Sequence, residues 1–312
     1  MDVKHFLSLE GIGVDTLASI VSHSMSIISG DAGTDRPLRG QIVGIYFRGT
    51  STRTRTAFTV GALRLGADAV SYGPNDLQIV TGETIQDTAR VLSNYLDALV
   101  IRTNAPLEEM RLMAQQDETA IINAMSDNEH PTQAIADLVT MREEFGRLED
   151  LHVLYVGEGN NTTAALALAV AQTPGMRLTA VTPEGYGLPE EFVGRVSAFA
   201  AETGSAVEQH HDADALPRGV DVVYATRWQT MGVPKPDPNW REKFWPYSVN
   251  AAMMARVSKP SGTIFMHDLP AARGEDVTDE VLDGPQSRAF RQARHKMTSA
   301  MSILTWCLAG KR

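Results

Sequence analysis

Gln41-Ile42-Val43-Gly44-Ile45-Tyr46-Phe47-Arg48-Gly49-Thr50-Ser51-Thr52-Arg53-Thr54-Arg55 changes character halfway, and that change sets the reading of the chain. Residues 41–47 are apolar and rich in strand formers. From Ala57 onward apolar residues recur at helical spacing, and the run closes on Gly66. Hydroxyl and guanidinium groups therefore cluster where a strand turns into a helix. A helix N-terminus offers free N–H groups and the positive end of a dipole, which suits a phosphate. Ser51, Thr52 and Thr54 add hydroxyl donors, and Arg53 can grip two oxygens as a fork. The glycines and lysine of a Walker loop are missing. The plainer alternative is a hydroxyl helix cap with solvated arginines.

Outward from this stretch, β-rich runs alternate with helical patterns. Strands are predicted at 41–47, 68–72, 97–102, 119–125, 152–157, 177–182, 206–210, 220–226 and 263–268. The longer helices are predicted near 14–29, 84–95, 132–146, 161–173 and 286–309. Such alternation predicts an α/β protein with mainly parallel sheets and helices on both faces. With 312 residues, two doubly wound domains are expected. The polar stretch 142–150 is the expected hinge, giving domains 1–146 and 147–285. The segment 233–249, carrying Pro234, Pro236, Pro238, Trp240 and Trp245, reads as a mobile or capping loop over a site.

Composition narrows the function. The 28 basic and 38 acidic residues leave a net charge of −10, which opposes nucleic-acid and acidic-membrane partners. The basic residues at 48–55 therefore look local and purposeful. Cys307 is the sole cysteine, so no internal disulfide forms, and a reducing compartment fits. The N-terminal residues lack the apolar core of a signal peptide, and no apolar run reaches membrane-spanning length. A cytoplasmic protein is expected.

A second cluster is His130-Pro131-Thr132-Gln133-Ala134-Ile135-Ala136-Asp137-Leu138. A strand precedes it and a helix is expected to open at Thr132. His130 and Gln133 then stand at the C-terminal edge of a sheet, where open α/β folds bind ligands. A neutral imidazole can donate to a carbonyl oxygen, and an amide can read an NH2 group. A lone His–Pro turn is ordinarily structural; beside a second phosphate-type loop it points to a ligand. Arg102, ending the strand 97–102, brings another cation to the same edge.

Together these segments resemble the aspartate and ornithine carbamoyltransferase family essentially end to end. Ser51–Arg55 is similar to its phosphate loop and His130–Gln133 to its His-Pro-x-Gln signature. Asp87-Thr88-Ala89-Arg90 is similar to a helix of the ornithine branch, and His267-Asp268-Leu269-Pro270-Ala271 to a His-Cys-Leu-Pro-Ala segment. The resemblance implies transfer of a carbamoyl group from carbamoyl phosphate to an amine, without metal or organic cofactor. The active site would lie in the cleft between the two domains, with the C-terminal helix packed back on the first. It further implies that Ser51, Thr52, Arg53, Thr54 and Arg102 hold the phosphate. Thr54, Arg102 and His130 would face the carbonyl oxygen as it becomes an oxyanion. Gln133 and the carbonyl of Leu269 would hold the carbamoyl NH2, and Lys296 stands where an arginine helps hold the carbamoyl oxygen. A homotrimer with shared active sites is implied, Gln78 reaching a neighbour's phosphate.

The acceptor side mixes two branches. Gly157-Glu158-Gly159-Asn160-Asn161 resembles the ornithine-type turn, whose asparagine reads an amino-acid carboxylate. In Thr226-Arg227-Trp228-Gln229-Thr230-Met231-Gly232, Met231 and Gly232 match the ornithine branch, but Thr226 stands where its aspartate would be. Thr226, Arg227 and Gln229 instead resemble the aspartate branch, whose arginine binds a carboxylate. Asp268 replaces the cysteine of His-Cys-Leu-Pro and could receive an acceptor's ammonium. An amino-acid-like acceptor is expected, such as 2,3-diaminopropionate or ornithine. An aspartate-type enzyme, or a silent member serving in binding or assembly, are the alternatives.

Overall fold

The computed structural model describes residues 3–30, 36–229 and 234–309. The chain forms two compact units, one of residues 1–139 with 294–312, the other of residues 140–293. In chain order the first contains α1 (Val14–Ser29), β1 (Ile42–Phe47), α2 (Arg53–Arg64), β2 (Asp68–Tyr72), α3 (Ile85–Leu92), β3 (Ala98–Arg102), α4 (Glu108–Met113) and β4 (Ala120–Met125). Helix α5 (Pro131–Phe145) runs on into the second unit. There follow β5 (His152–Val156), α6 (Asn161–Ala171), β6 (Arg177–Val181), α7 (Glu190–Glu202), β7 (Ala206–His210) and β8 (Val222–Ala225). The chain continues through α8 (Trp240–Phe244), α9 (Ala251–Val257), β9 (Ile264–His267) and α10 (Asp279–Leu282). Helix α11 (Ala289–Leu308) then returns to the first unit.

Each unit is a parallel sheet. The first has strand order β2-β1-β3-β4, the second β7-β6-β5-β8-β9. Strands β3 and β4 are buried along their whole length, as largely apolar runs covered on both faces should be. At the edge, β2 is mostly exposed, and Val70 tolerates water there because only one flank pairs. In both sheets the winding reverses direction once, at β1/β3 and at β5/β8. At such a reversal the loops leaving the two strands turn to opposite faces and open a crevice at the carboxyl ends.

Local signals explain the termini. Helix α1 stops at Gly30, which takes the left-handed conformation at φ 84°. Helix α6 opens on Asn160, whose side chain accepts from the Thr162 and Thr163 N–H groups while Thr163 answers with its hydroxyl. All of α6 is buried, so its alanines and leucines need no polar face. One expectation fails: the segment 233–249 is not simply a loop. It carries α8 and a turn of 3-10 helix at Trp245–Tyr247, because Trp240 and Phe244 bury against Trp228. Among the described residues no helix is long and apolar enough to cross a membrane.

Candidate functional site

The first unit gathers its polar residues at the β1/β3 reversal. Strand β1 delivers Ser51 and Thr52 to the N-terminus of α2, and β3 ends on Arg102. Thr52 occupies the cap position, and its side chain makes no capping bond there. Ser51 Oγ instead accepts a long bond from the Arg55 N–H at 3.4 Å. Arg55 is turned back onto β1, one Nη donating to the Phe47 carbonyl and the guanidinium lying over the Phe47 ring. Arg53 is half-buried and makes interactions of its own at the head of the helix.

Arg102 is almost wholly buried, an unusual place for a guanidinium unless it serves a partner. Its Nη1 reaches Thr54 Oγ1 at 3.4 Å and His130 Nε2 at 3.5 Å. A guanidinium only donates, so Nε2 faces it as an acceptor. The ring proton then belongs on Nδ1, which lies 3.3 Å from Thr132 Oγ1. Burial, then the charges of Lys296 and Arg102, hold the His130 pKa well below the ordinary imidazole value. The ring is neutral and lends its lone pair to Arg102, leaving Arg102 and Thr54 as the hydrogen-bond donors at the edge.

Gln133 lies one helical turn from Asp137 on α5. Its Nε2 donates to Asp137 Oδ1 at 2.7 Å, and its Oε1 accepts from Lys296 Nζ on α11. Lys296 and Asp137 thus fix which way the amide points. Asp137 was visible in the sequence only as the i+4 neighbour of Gln133. Beside His130, Glu129 is buried and accepts from Ser8 Oγ and the Leu9 N–H, tying the signature to the N-terminal segment. Burial raises its carboxyl pKa to about 7. Gln78 lies on an exposed 3-10 turn, its Oε1 accepting from Thr81 Oγ1 at 2.6 Å.

In the second unit the corresponding reversal is at β5/β8. The turn after β5 needs its glycines: Gly157 has φ 132°, and a Cβ on Gly159 would stand 2.3 Å from the Leu188 nitrogen. Asn160 follows and Asn161, buried, opens α6. Asn160 Nδ2 lies 3.5 Å from Thr226 Oγ1. Strands β8 and β9 pair Ala225 with His267, so Thr226 and Asp268 leave the sheet side by side. Thr226 Oγ1 donates to Asp268 Oδ1 at 3.1 Å, and Thr162 Oγ1 donates to Oδ2 at 3.1 Å. The carboxylate is held at both oxygens and remains partly open, its side chain 17% exposed. Thr162 belongs to this cluster although the sequence singled out only the asparagines before it.

His267 supports that edge from beneath. Its Nδ1 accepts from the Leu269 N–H at 2.9 Å, so Nε2 carries the proton toward Asp276 Oδ2, 2.6 Å away. Leu269 sits at φ 55°, a left-handed backbone costly for leucine and held by these neighbours. Arg227 is exposed, Gln229 is half-buried with contacts of its own, and Met231 lies outside the described residues.

The chain matches two family models. The aspartate/ornithine carbamoyltransferase carbamoyl-P binding domain covers residues 4–143, and the Asp/Orn binding domain of the same family covers residues 149–307. Among curated relatives, an ornithine carbamoyltransferase of Symbiobacterium thermophilum is 42% identical over 275 residues, 88% of this chain and 87% of that protein. One from Rhizobium johnstonii is 37% identical over 312 residues, 99% of each chain. Among solved structures, ornithine carbamoyltransferase from Pyrococcus furiosus superposes with a TM-score of 0.92 at 33% identity, covering 100% of this chain and 99% of that one.

Proposed function

The chain belongs to the aspartate/ornithine carbamoyltransferase family, and we propose that its acceptor is an amino acid with a second ammonium group, such as 2,3-diaminopropionate or ornithine. In this reading the first unit holds carbamoyl phosphate. The N-terminus of α2, with Ser51, Thr52, Arg53 and Thr54, takes the phosphate together with Arg102. A neutral amine attacks the carbamoyl carbon, the bond to the phosphate oxygen breaks, and phosphate leaves with the electron pair. The surplus proton of the amine passes to the departing phosphate. Arg102 and Thr54 stabilise the oxyanion through hydrogen bonds that strengthen as its charge grows. Alignment of the two reactants supplies the rest, with no covalent intermediate. Gln133, the Leu269 carbonyl and Lys296 would orient the carbamoyl group.

The observation that carries the acceptor reading is the meeting of Asn160 and Asp268 on Thr226. An amide able to read a carboxylate and a carboxylate able to receive an ammonium share one hydroxyl, which matches the close spacing of an α-amino acid's two charges. Loss of aspartate at 226 is offset by its gain at the adjacent strand end. The same negative charge opposes a dicarboxylate acceptor, so the aspartate-type reading is disfavoured despite Arg227. We further infer a cytoplasmic homotrimer in which Gln78 serves a neighbour's phosphate.

The test is phosphate release from carbamoyl phosphate with ornithine, diaminopropionate, diaminobutyrate, putrescine and aspartate in turn, on protein whose mass has been measured by light scattering. Turnover confined to diamino acids is expected. Turnover with aspartate alone would overturn the acceptor assignment, and none with any amine would favour a silent binding protein.

A further inference from the structure

Arg48 opens the loop that carries β1 into α2, and it is tied down three times. Its backbone N–H donates to the Arg102 carbonyl at 3.0 Å, one step past the pairing of Phe47 with Arg102. Its Nε donates to Tyr46 Oη at 3.0 Å, and the guanidinium lies 5.5 Å from the centre of that ring, within cation–π reach. Its Nη1 stands 2.6 Å from Glu109 Oε2 in the first turn of α4. Tyr46 is fully buried in one cluster with Leu107, Met110 and Met113, so the ring is a firm platform beneath that turn. The ion pair is partly shielded, its side chains being 25% and 28% exposed. Because α4 follows β3, the contact joins the loop leaving β1 to the helix leaving β3, across the reversal where the crevice opens. The rest of the loop has little to hold it. Gly49 and Thr50 are exposed, a Cβ on Gly49 would meet nothing within 4 Å, and Thr52 makes no capping bond. A stretch containing glycine loses much backbone freedom when it is fixed in one place.

We infer that Arg48 is a positioning residue for the phosphate of carbamoyl phosphate, clamped on Tyr46 and Glu109 so that Ser51, Thr52 and the N-terminus of α2 keep a fixed distance from Arg102. This rests on the proposed assignment of that helix N-terminus to the phosphate. The guanidinium is committed to Glu109 and Tyr46, and it acts through the backbone of the loop rather than by touching the ligand. The clamp orders the loop before the ligand arrives, so binding does not carry that entropy cost. The charge of Glu109 separates this role from a direct one. A carboxylate near the site repels phosphate, so by its field alone its removal would strengthen binding, whereas opening a clamp weakens it.

Glu109→Ala keeps a good helix former in α4 and releases the guanidinium. Its KM for carbamoyl phosphate should rise about fivefold, the size expected for a partly shielded ion pair. Arg48→Met should lose as much, and the double variant no more than either alone, because both changes open one clamp. The acceptor KM and the melting temperature should hardly move; a pair that only braces the fold would lower the melting temperature and leave both constants alone. Calorimetric titration with inorganic phosphate gives the same comparison without an acceptor. Amide hydrogen exchange across residues 48–56 should quicken in Glu109→Ala with no ligand present. A wild type that binds no phosphate would overturn the site assignment and this inference together. Equal or tighter phosphate binding in Glu109→Ala, additive losses in the double variant, or unchanged exchange would overturn the clamp alone.

Discussion

Replacing Asp268 by asparagine tests the acceptor site with little disturbance to the fold. The carboxylate accepts one bond from Thr162 and one from Thr226, both at 3.1 Å. Asparagine keeps one accepting oxygen, and the hydroxyl facing its new NH2 group can rotate to accept instead. The two threonines therefore stay satisfied, and the thermal midpoint should hardly move. What disappears is the negative charge offered to an acceptor's ammonium. A hydrogen bond to a charged partner contributes about 1.5–3 kcal/mol, which corresponds to about a 10- to 150-fold weakening of acceptor binding. Steady-state kinetics should show that increase in the acceptor KM, while the KM for carbamoyl phosphate, which the proposed site assigns to Arg102 and the α2 N-terminus, stays put. Adding Thr226→Asp should restore affinity, because Ala225 and His267 are paired in register and their successors occupy neighbouring places at the sheet edge. Asp268→Cys alone should lose acceptor affinity as Asp268→Asn does, ornithine included, while Thr226 lacks a carboxylate. Wild-type constants in Asp268→Asn at every pH would refute the reasoning, as would equal losses for both substrates.

Arg53→Lys should retain the fold and lose an order of magnitude or more in activity, since an ammonium cannot reproduce the two-pronged contact with phosphate; unchanged kinetics would remove Arg53 from the site. Ring-nitrogen NMR should find His130 neutral from pH about 8 to below its ordinary 6.5, and a signal titrating at the ordinary value would contradict the buried Arg102–His130–Thr132 arrangement. Glu129 binds its proton more tightly folded, at about 7 against an ordinary 4.5, so its contribution to stability is full below pH 4.5 and gone above about 7. The difference is about 3 kcal/mol, and chemical denaturation should show Glu129→Gln losing that much less stability than wild type over the same rise in pH. Parallel slopes for the two proteins would show that Glu129 does not titrate as stated.

Much of the architecture was legible in the sequence because it is written in local periodicity. The β1, β3 and β4 runs are largely apolar without alternation, as a sheet covered on both faces requires, and the expected strand limits differ from the observed ones by a residue or two. The phosphate-type loop and the Gly157–Asn161 turn were likewise readable, since strand-to-helix turns need glycine, hydroxyl and amide groups at fixed offsets. Strand order lay beyond such reasoning. The reversals at β1/β3 and β5/β8 depend on which strands pair, and pairing is decided by packing among residues far apart in sequence. The partners of the site residues came from the same source. Lys296 meets Gln133 across 163 positions and Thr162 meets Asp268 across 106, and no local pattern encodes such encounters. The segment after Trp228 shows the limit most plainly. Its prolines and tryptophans suggested a loop, whereas burial of Trp240 and Phe244 against Trp228, with Lys235 caged among the rings, yields α8. Local preference was overridden there by apolar area removed from water and a charge paired in the interior, terms that exist only once the chain has folded.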